Sequence, residues 1–332
     1  MTAVAVTVVA VVTARKANNF AIAYENEVAF SGYLIFYFNF AHRQNIKSKD
    51  MIRPKCLIIA VSVILISLCC STAGGESGSG QPVDKTELYR KEAGTVRLVS
   101  YNVGVFSKYL DNSTSLVATL MDELDADAIA VNELDYYNTR HDTDQLKVLA
   151  EELGDWDYLF GKAIDFAGGE YGEGAVVRSS LGVQEKYSVP LPQGEGAEAR
   201  VLVVIETRDF VFASTHLDHV SDKARTGQAA LISSVMMEKY GDTAKPVFLC
   251  GDLNSTPGSA PINELKKNWT ILSVSDPTFP SDDPNTCIDY VMVLNNGAKY
   301  ARTATAVCYR FLSGDVAKAS DHLPIFVDVR LQ

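Results

Sequence analysis

Cysteine is scarce in this 332-residue sequence, and the few cysteines are not spaced as metal ligands. Three of the six lie in or beside an apolar segment within residues 56–70. The other three, Cys250, Cys287 and Cys308, are an odd number without metal-type spacing, which gives a cysteine metal site no support. Cys250 is expected to be a buried thiol. For Cys287 and Cys308, a disulfide and two separate thiols both remain open.

Basic residues are also few. Residues 71–332 contain 38 acidic and 23 basic residues, and the whole chain has a formal charge of −11. Nucleic-acid affinity comes largely from the neutralisation of phosphates, so an acidic body does not attract polyanions non-specifically. Nucleic acid is therefore a less expected partner than a small molecule or a lipid head group, although a local basic rim is compatible with this composition.

The apolar run at residues 56–68 is too short for an ordinary membrane span. It follows a basic start and precedes small residues, so residues 51–70 are predicted to be a secretory signal peptide. The junction at Cys69 and Cys70 resembles that of bacterial lipoproteins, and both lipidation and cleavage by an ordinary signal peptidase remain open. We expect an exported protein of the cell envelope or the extracellular space, with a lipid anchor to a bacterial membrane under the first alternative.

The segments around this signal divide the rest of the chain. Because a signal peptide should be N-terminal and this one begins at Met51, residues 1–50 are interpreted as an over-extended leader. A genuine additional membrane-associated segment is the competing interpretation. Residues 71–92 are polar and rich in Gly and Ser at their start, which predicts a flexible tether. Residues 93–332 form the predicted catalytic domain.

Strand and helix patterns alternate within residues 93–332, which indicates an α/β domain. Helices are predicted at residues 113–124, 144–153 and 221–240. Residues 200–205 and 210–214 read as a β-hairpin, and the Gly-rich residues 168–174 as a turn before a strand at 175–177. No internal repeat is visible.

The segment from Pro246 to Pro257 carries the strongest chemical signal. A short apolar run, predicted to be a buried strand, ends in Gly-Asp-Leu-Asn before Pro and Gly break the chain. Asp252 and Asn254 have the same parity, so both side chains can point toward one site. The carboxylate of Asp252 can take a proton from water, and the carboxamide of Asn254 can donate to an anionic oxygen.

Polar residues also lie at the ends of other apolar runs, or within them. A charge within an apolar strand is costly unless it is paired or bound to a metal. We therefore expect one shared polar site at the edge of the sheets. Its candidate members, besides Asp252 and Asn254, are Asn102, Glu133, His216, Asp289, Asp321 and His322.

The ordered motifs SYN, NE, STHLDH, GDLN, IDYVM and SDHLP resemble those of the endonuclease/exonuclease/phosphatase superfamily, the DNase I-like metal-dependent phosphoesterases. The resemblance covers residues 95–329, and GDLN together with SDH is its most specific part. It implies two packed mixed β-sheets flanked by helices, a four-layer sandwich. It also implies a divalent cation, Mg²⁺ or alternatively Mn²⁺.

The resemblance assigns roles to the candidate residues. Glu133 matches the principal metal ligand, and Asn102 and Asp321 match positions that support the metal directly or through water. His216 and His322 match the two histidines that contact the scissile phosphate, and Asp289 is expected to support His322.

Tyr171, His219 and Arg225 are weaker candidates. Tyr171 matches a family position near the phosphate. Glu173 departs from the Asn or small residue that the family often has after Tyr-Gly, which puts the substrate contacts there in doubt. His219 and Arg225 are candidate substrate-binding residues, and a solvated rim or helix face is the alternative for each.

These observations favour an exported, Mg²⁺-dependent phosphoesterase that acts as a monomer on a small or lipid-linked phosphomonoester or phosphodiester. A secreted nuclease is the alternative enzyme. A binding module that keeps the fold without turnover is the third hypothesis, and the complete set of candidate residues counts against it.

Overall fold

The computed structural model describes residues 88–332. The predicted leader, the signal peptide and residues 71–87 of the predicted tether lie outside the described residues. Residues 88–92, which we assigned to the tether, already pack on the fold: the Tyr89 ring lies 5.8 Å from the rings of both Phe311 and Phe326. The folded part therefore begins earlier than residue 93, because this aromatic side chain joins the domain core. Within residues 88–332, no helix is both long enough and apolar enough to cross a bilayer.

The described residues contain twelve strands in two six-stranded sheets. The strands are β1 (Val96–Asn102), β2 (Ala128–Tyr136), β3 (Trp156–Phe166), β4 (Gly169–Arg178), β5 (Val183–Leu191), β6 (Arg200–Thr207), β7 (Val211–Thr215), β8 (Val247–Asp252), β9 (Trp269–Ile271), β10 (Asp289–Leu294), β11 (Tyr300–Val307) and β12 (Ile325–Leu331). The first sheet has the order β11-β12-β1-β2-β4-β3 and the second the order β5-β6-β7-β8-β10-β9. Each sheet is mixed, because β1–β2 and β7–β8 are parallel and the other pairs are antiparallel.

Five helices flank these sheets. They are α1 (Thr114–Glu123), α2 (Gln145–Leu153), α3 (Asp222–Tyr240), α4 (Ala260–Leu265) and α5 (Val316–Ala319). The three helices predicted from sequence are confirmed. The side chains of Asp144 and Ser221 cap α2 and α3 by accepting from the third backbone N–H, as short polar residues at such positions do. Ser113 differs, because its hydroxyl donates to Ala319 O instead of capping α1.

Three apolar clusters separate the layers. One lies between the two sheets and includes Leu98, Val203, Phe248 and Val291. The other two pack α1 and α2 on the first sheet, and α3 and α4 on the second. The predicted four-layer sandwich is therefore confirmed. Cys250, Cys287 and Cys308 are all buried free thiols, so no disulfide joins the last two.

The Gly-rich segment at residues 168–174 is not the turn that we predicted. It belongs almost entirely to β4, and the reversal of the chain occurs at Ala167 and Gly168, which have φ values of 47° and 84°. Gly172 is needed because β3 and β4 approach closely there: a Cβ at this position would lie 2.0 Å from Gly161 O. The predicted β6–β7 hairpin is confirmed as an antiparallel pair.

Candidate active site

Strand ends from both sheets meet at one edge of the sandwich. Asn102 ends β1, Asp252 ends β8, and His216 directly follows β7. Asp289 begins β10, which runs antiparallel to β8, so the strand register sets it directly opposite Asp252. The parallel pairs β1–β2 and β7–β8 bring their carboxyl ends to the same side, which explains why residues distant in sequence converge.

Asp252 lies at the centre of this group and is buried. Its Oδ2 atom is 3.1 Å from Asn102 Nδ2, 3.4 Å from His216 Nε2 and 3.7 Å from His322 Nε2. Its backbone N–H donates to Asn132 Oδ1 at 2.9 Å, a contact that crosses from one sheet to the other. One carboxylate oxygen is therefore shared by an amide and two imidazoles.

The Gly-Asp-Leu-Asn turn aims Asn254 back at the centre. Asn254 has a φ of 46°, a left-handed conformation that Asn tolerates. Its backbone N–H donates to Asp252 Oδ1 at 2.8 Å, and its Nδ2 donates to His216 Nε2 at 2.8 Å. Gly251 is required because a Cβ there would lie 1.8 Å from Thr215 O. Burial, and then the charge of Arg200, lower the pKa of His216 well below its ordinary value, so this ring is neutral and accepts at Nε2.

His322 is paired with a buried acid. Its Nδ1 lies 3.0 Å from Asp289 Oδ2, which also accepts from Thr278 Oγ1 at 2.5 Å. Burial alone would lower the pKa of His322, but the carboxylates of Asp289 and Asp252 raise it to about 10. Burial, and then the charge of Asp289, raise the pKa of the Asp252 carboxyl to about 7. The arrangement therefore offers a cationic imidazole beside a carboxyl group that can exchange a proton near neutral pH.

Glu133 and Asp321 form a second acidic pair, next to Asn102. Glu133 lies in a β-bulge with a φ of 60°, and its Oε1 accepts from Asn102 Nδ2 at 3.0 Å. The ammonium of Lys108 lies 2.9 Å from Asp321 Oδ2 and 4.0 Å from Glu133 Oε2. The pair thus already holds a cation supplied by the chain itself.

Our sequence analysis did not identify four residues that the structure places in the site: Asn132, Glu173, Arg200 and Lys108. Asn132 joins the two sheets, since its Nδ2 donates to Thr215 O at 3.0 Å. The Glu173 Oε2 atom accepts from the backbone N–H of Glu133 at 3.3 Å and so holds the bulge. Arg200 Nη1 lies 3.9 Å from Glu173 Oε1. The departure of Glu173 from the family pattern was the signal for its importance.

Glu173 also lies behind His216. Its Oε1 is 3.7 Å from His216 Nδ1, and neither atom has a hydrogen-bond partner within the described part of the chain. Burial raises the pKa of the Glu173 carboxyl to about 8. Each of the two site histidines therefore has an acid on the side away from Asp252: Asp289 for His322 and Glu173 for His216.

The weaker candidates lie at different depths. Tyr171 is close to the centre, because the charges of Glu133 and Glu173 add to burial in raising its pKa. His219 is peripheral and half-exposed, with its Nδ1 3.1 Å from Arg200 Nη2. Arg225 is not brought into the group: its guanidinium donates to Asp218 O at 2.8 Å and pairs with Asp222 at the start of α3. Both Nη atoms are thereby used in closing the loop before the helix.

Two sets of side chains could hold a cation. Asp252, Asp289 and His322 offer ligand atoms within 4.8 Å of one another, and all three residues are buried. Glu133 and Asp321 offer carboxylate oxygens around the position of the Lys108 ammonium, and Asn102 lies beside them, with its Nδ2 donating to Glu133. We favour the second set for a hard cation, because Asp289 and His322 already bond to each other and Mg²⁺ prefers oxygen ligands.

A sandwich of two mixed sheets that gathers carboxylates, amides and histidines at one edge defines the DNase I-like class of fold. A family model described as "Endonuclease/Exonuclease/phosphatase family" matches residues 99–322, and the chain belongs to this family. Membership supports a phosphoesterase- or nuclease-type hydrolase, and the family is generally dependent on a divalent metal. A search of curated proteins found no match.

Solved structures of low sequence identity share the fold. A mannosyl-6-phosphatase from Bacteroides thetaiotaomicron is 21% identical with a TM-score of 0.58, covering 70% of this chain and 99% of that one. The human Nocturnin catalytic domain with bound sulfate is 15% identical with a TM-score of 0.55, covering 72% and 94%. TDP2 from D. rerio, complexed with a single-strand DNA product, is 14% identical with a TM-score of 0.55, covering 71% and 98%.

Proposed function

We propose that this protein is an exported, Mg²⁺-dependent phosphoesterase that hydrolyses a small or lipid-linked phosphoester by in-line attack of water. One observation carries the proposal: Asp252 Oδ2 lies within 3.7 Å of the side chains of Asn102, His216 and His322. A carboxyl group with a pKa of about 7 is suited to take a proton from water at neutral pH.

The proposed roles follow from the contacts of each side chain. Asp252 removes a proton from the attacking water, whose oxygen forms the new bond to phosphorus as the ester bond breaks. Asn254 orients that water, and the cationic His322 donates to a phosphoryl oxygen. The neutral His216 accepts from Asn254 Nδ2 and so holds that amide in place. Asp289 keeps His322 oriented and charged. Tyr171 borders the same space.

Glu133, Asp321 and Asn102 are the proposed holders of the divalent cation, Mg²⁺ or alternatively Mn²⁺. They fit such an ion because the two carboxylates already attract the ammonium of Lys108. When bound, the cation supplies positive charge to the phosphoryl oxygens and acidity to a coordinated water. The backbone N–H of Glu133, held by Glu173, fixes the direction of the Glu133 carboxylate.

Charge supports a small or lipid-linked substrate such as an inositol phosphate, a sugar phosphate or a phospholipid head group. Residues 71–332 carry 15 more acidic than basic residues, which disfavours a polynucleotide. The name of the bacterial mannosyl-6-phosphatase agrees with a small phosphoester, whereas the TDP2 complex with a DNA product represents the nuclease alternative. Export through the signal at residues 51–70, with or without lipidation, is part of the proposal, as is a monomeric state.

A hydrolysis screen tests the proposal. The purified protein is given p-nitrophenyl phosphate, bis(p-nitrophenyl) phosphate, sugar and inositol phosphates, sphingomyelin and plasmid DNA, with Mg²⁺ or with chelator. We expect turnover of small or lipid-linked esters that chelator abolishes and Mg²⁺ restores. Preference for DNA by orders of magnitude would make the protein a nuclease. Absence of turnover on every ester would leave the non-catalytic binding module. Mass spectrometry of the N-terminus of the exported protein separates lipidation from simple cleavage.

A further inference from the structure

A buried acid lies on β2, just beyond the proposed metal ligand Glu133. Asp135 is fully buried and two residues after Glu133, about 7 Å farther along the strand. The register between β2 and β4 places Asp135 directly opposite Tyr171. Asp135 therefore marks a position next to the site already described but outside it.

This acid holds a guanidinium at the rim of the site. Arg140 donates from Nε and Nη2 to the two carboxylate oxygens of Asp135 at 2.7 and 2.8 Å, a bidentate pair. The Nδ1–H of His141 donates to Asp135 Oδ2 at 2.5 Å. Asn138 is buried and its side-chain oxygen accepts from the backbone N–H groups of both Arg140 and His141, at 2.9 and 3.0 Å. The loop at residues 138–141 is thus held by hydrogen bonds of both its backbone and its side chains.

Aromatic rings fix the plane of the same guanidinium. Arg140 Cζ lies 4.6 Å from the centre of the Phe166 ring and 5.9 Å from that of Tyr171. Glu133 is near enough for its charge to contribute to the raised pKa of Arg140, after the hydrogen bond to Asp135 and the charges of Asp135 and Tyr171. The guanidinium therefore lies beside Tyr171, on the same strand pair as the proposed metal ligand Glu133.

Arg140 is held firmly but is not used up by contacts within the fold. Arg97 provides the contrast: it is buried, and its Nε, Nη1 and Nη2 atoms all donate to Asp328 or to backbone carbonyls. The Arg140 side chain is 40% exposed, and no hydrogen bond within residues 88–332 uses its Nη1. A cation that is oriented but still open to solvent is suited to bind an anion.

We propose that Arg140 binds a second anionic group of the substrate, a phosphate or a carboxylate, at the end of β2 beyond Glu133. This inference rests on the proposed phosphoesterase function and narrows its substrate class to esters that carry two anionic groups. Asp135, His141 and Phe166 position the guanidinium and do not touch the substrate.

Three six-carbon ligands test the subsite. Glucose 6-phosphate has one anionic group, 6-phosphogluconate adds a carboxylate, and fructose 1,6-bisphosphate adds a second phosphate. Their dissociation constants are measured by calorimetry with Mg²⁺ on protein carrying Asp252→Asn, which slows turnover. We expect at least one doubly anionic ligand to bind about ten- to a hundredfold more tightly than glucose 6-phosphate, as one charged hydrogen-bonded pair provides. The doubly anionic ligand that binds more tightly shows whether the subsite takes a phosphate or a carboxylate.

Arg140→Gln in the same background should remove this preference and leave the binding of glucose 6-phosphate unchanged. Arg178→Gln is the matched control, because Arg178 also stacks on an aromatic ring and pairs with acids but lies at the far end of β4. Arg140→Lys, which keeps the charge, should retain part of the preference and covers the case in which the Gln variant does not fold. Absence of preference in the Asp252→Asn protein with Arg140 intact, or an equal loss for all three ligands when Arg140→Gln is added, would overturn the proposal. Failure of the proposed function shows separately, as absence of ester hydrolysis in the screen above.

Discussion

The Lys108 ammonium lies 2.9 Å from the Asp321 carboxylate, at the place where the proposed divalent cation would bind. Burial lowers the pKa of Lys108, but the charges of Glu133 and Asp321 outweigh it and raise the pKa above its ordinary value. The lysine therefore stays charged and competes with any second cation for the same two carboxylates.

Replacing Lys108 should therefore strengthen metal binding. Lys108→Met removes the positive charge while it keeps most of the side-chain length, and we expect the affinity for Mg²⁺ or Mn²⁺ to rise about tenfold or more. Titration calorimetry or the electron paramagnetic resonance of Mn²⁺ measures this without reference to turnover. Lys162→Met is the control, because Lys162 pairs with Asp165 on β3 and Glu170 on β4, and the change should leave the affinity unchanged. A Lys108 variant with unaltered affinity would show that the ammonium does not compete.

Asp252→Asn should abolish most of the turnover. The amide keeps the acceptor for the Asn254 backbone N–H, so we expect a folded protein with an unchanged melting temperature to within a few degrees. It cannot accept a proton from water, so kcat should fall about a thousandfold, within the range of general base catalysis. Asp209→Asn, in the exposed turn between β6 and β7, serves as the control. Turnover equal to that of the wild type would show that another group activates the water.

The charge on His322 should depend on Asp289. The pKa of His322 is raised to about 10, so its cationic form persists at neutral pH and activity should decline only as the pH rises through that value. Asp289→Asn removes a carboxylate 3.0 Å from Nδ1, and the alkaline limb of the profile of kcat/KM against pH should move down by about one to two pH units.

Measurements between pH 6 and 11 with Mg²⁺ at saturation determine this limb. Asp157→Asn alters only a surface pair with Lys186 and should reproduce the wild-type profile. If the alkaline limb of Asp289→Asn coincided with that of the wild type, a group other than His322 would be responsible for it.

The sequence predicted the central residues because each lies in a short motif at the end of an apolar run. Asp252 and Asn254 follow one strand, and His216 follows the next, so strand periodicity and a turn suffice to aim them. Local patterns of this kind depend on neighbours in the chain. Asn102 and Asp289 were found in the same way, and their convergence was expected because polar groups in apolar runs are costly unless they share a site. The family resemblance then supplied their roles.

Lys108 and Arg140 could not be found in this way, because loops that fold back determine their positions. The loop before Lys108 contains Val105 and Phe106 with φ values of 52° and 56°, and no propensity predicts a β-branched residue in that conformation. Arg140 depends on the turn made by Asn138 and on a buried acid five residues earlier. Neither a positive-φ loop nor a hydrogen bond to a residue five positions earlier leaves a periodic trace in the sequence.

Glu173 should make the protein less stable as the pH rises. Its carboxyl pKa is about 8 in the folded state against an ordinary value of 4.5, because burial disfavours the charged form. A carboxyl group whose pKa is higher in the folded state than in the unfolded state stabilises the fold fully at a pH below its unfolded pKa. This stabilisation is lost as the pH rises from 4.5 through 8. The free energy of unfolding should fall by at most about 5 kcal/mol over that window.

Glu173→Gln replaces the titrating carboxyl by a neutral amide, so the melting temperature should vary less between pH 5 and 9. The melting temperature of the variant should exceed that of the wild type most at pH 9. Glu206→Gln is the control, because the Lys245 and Tyr240 hydrogen bonds outweigh burial and lower the pKa of Glu206. That stabilisation is present above the ordinary pKa and disappears only in acid, so the Glu206→Gln profile should run parallel to that of the wild type from pH 5 to 9. A parallel profile for Glu173→Gln would instead mean that Glu173 is ionised throughout, paired with Arg200 at 3.9 Å, and that the buried acid behind His216 carries a full charge.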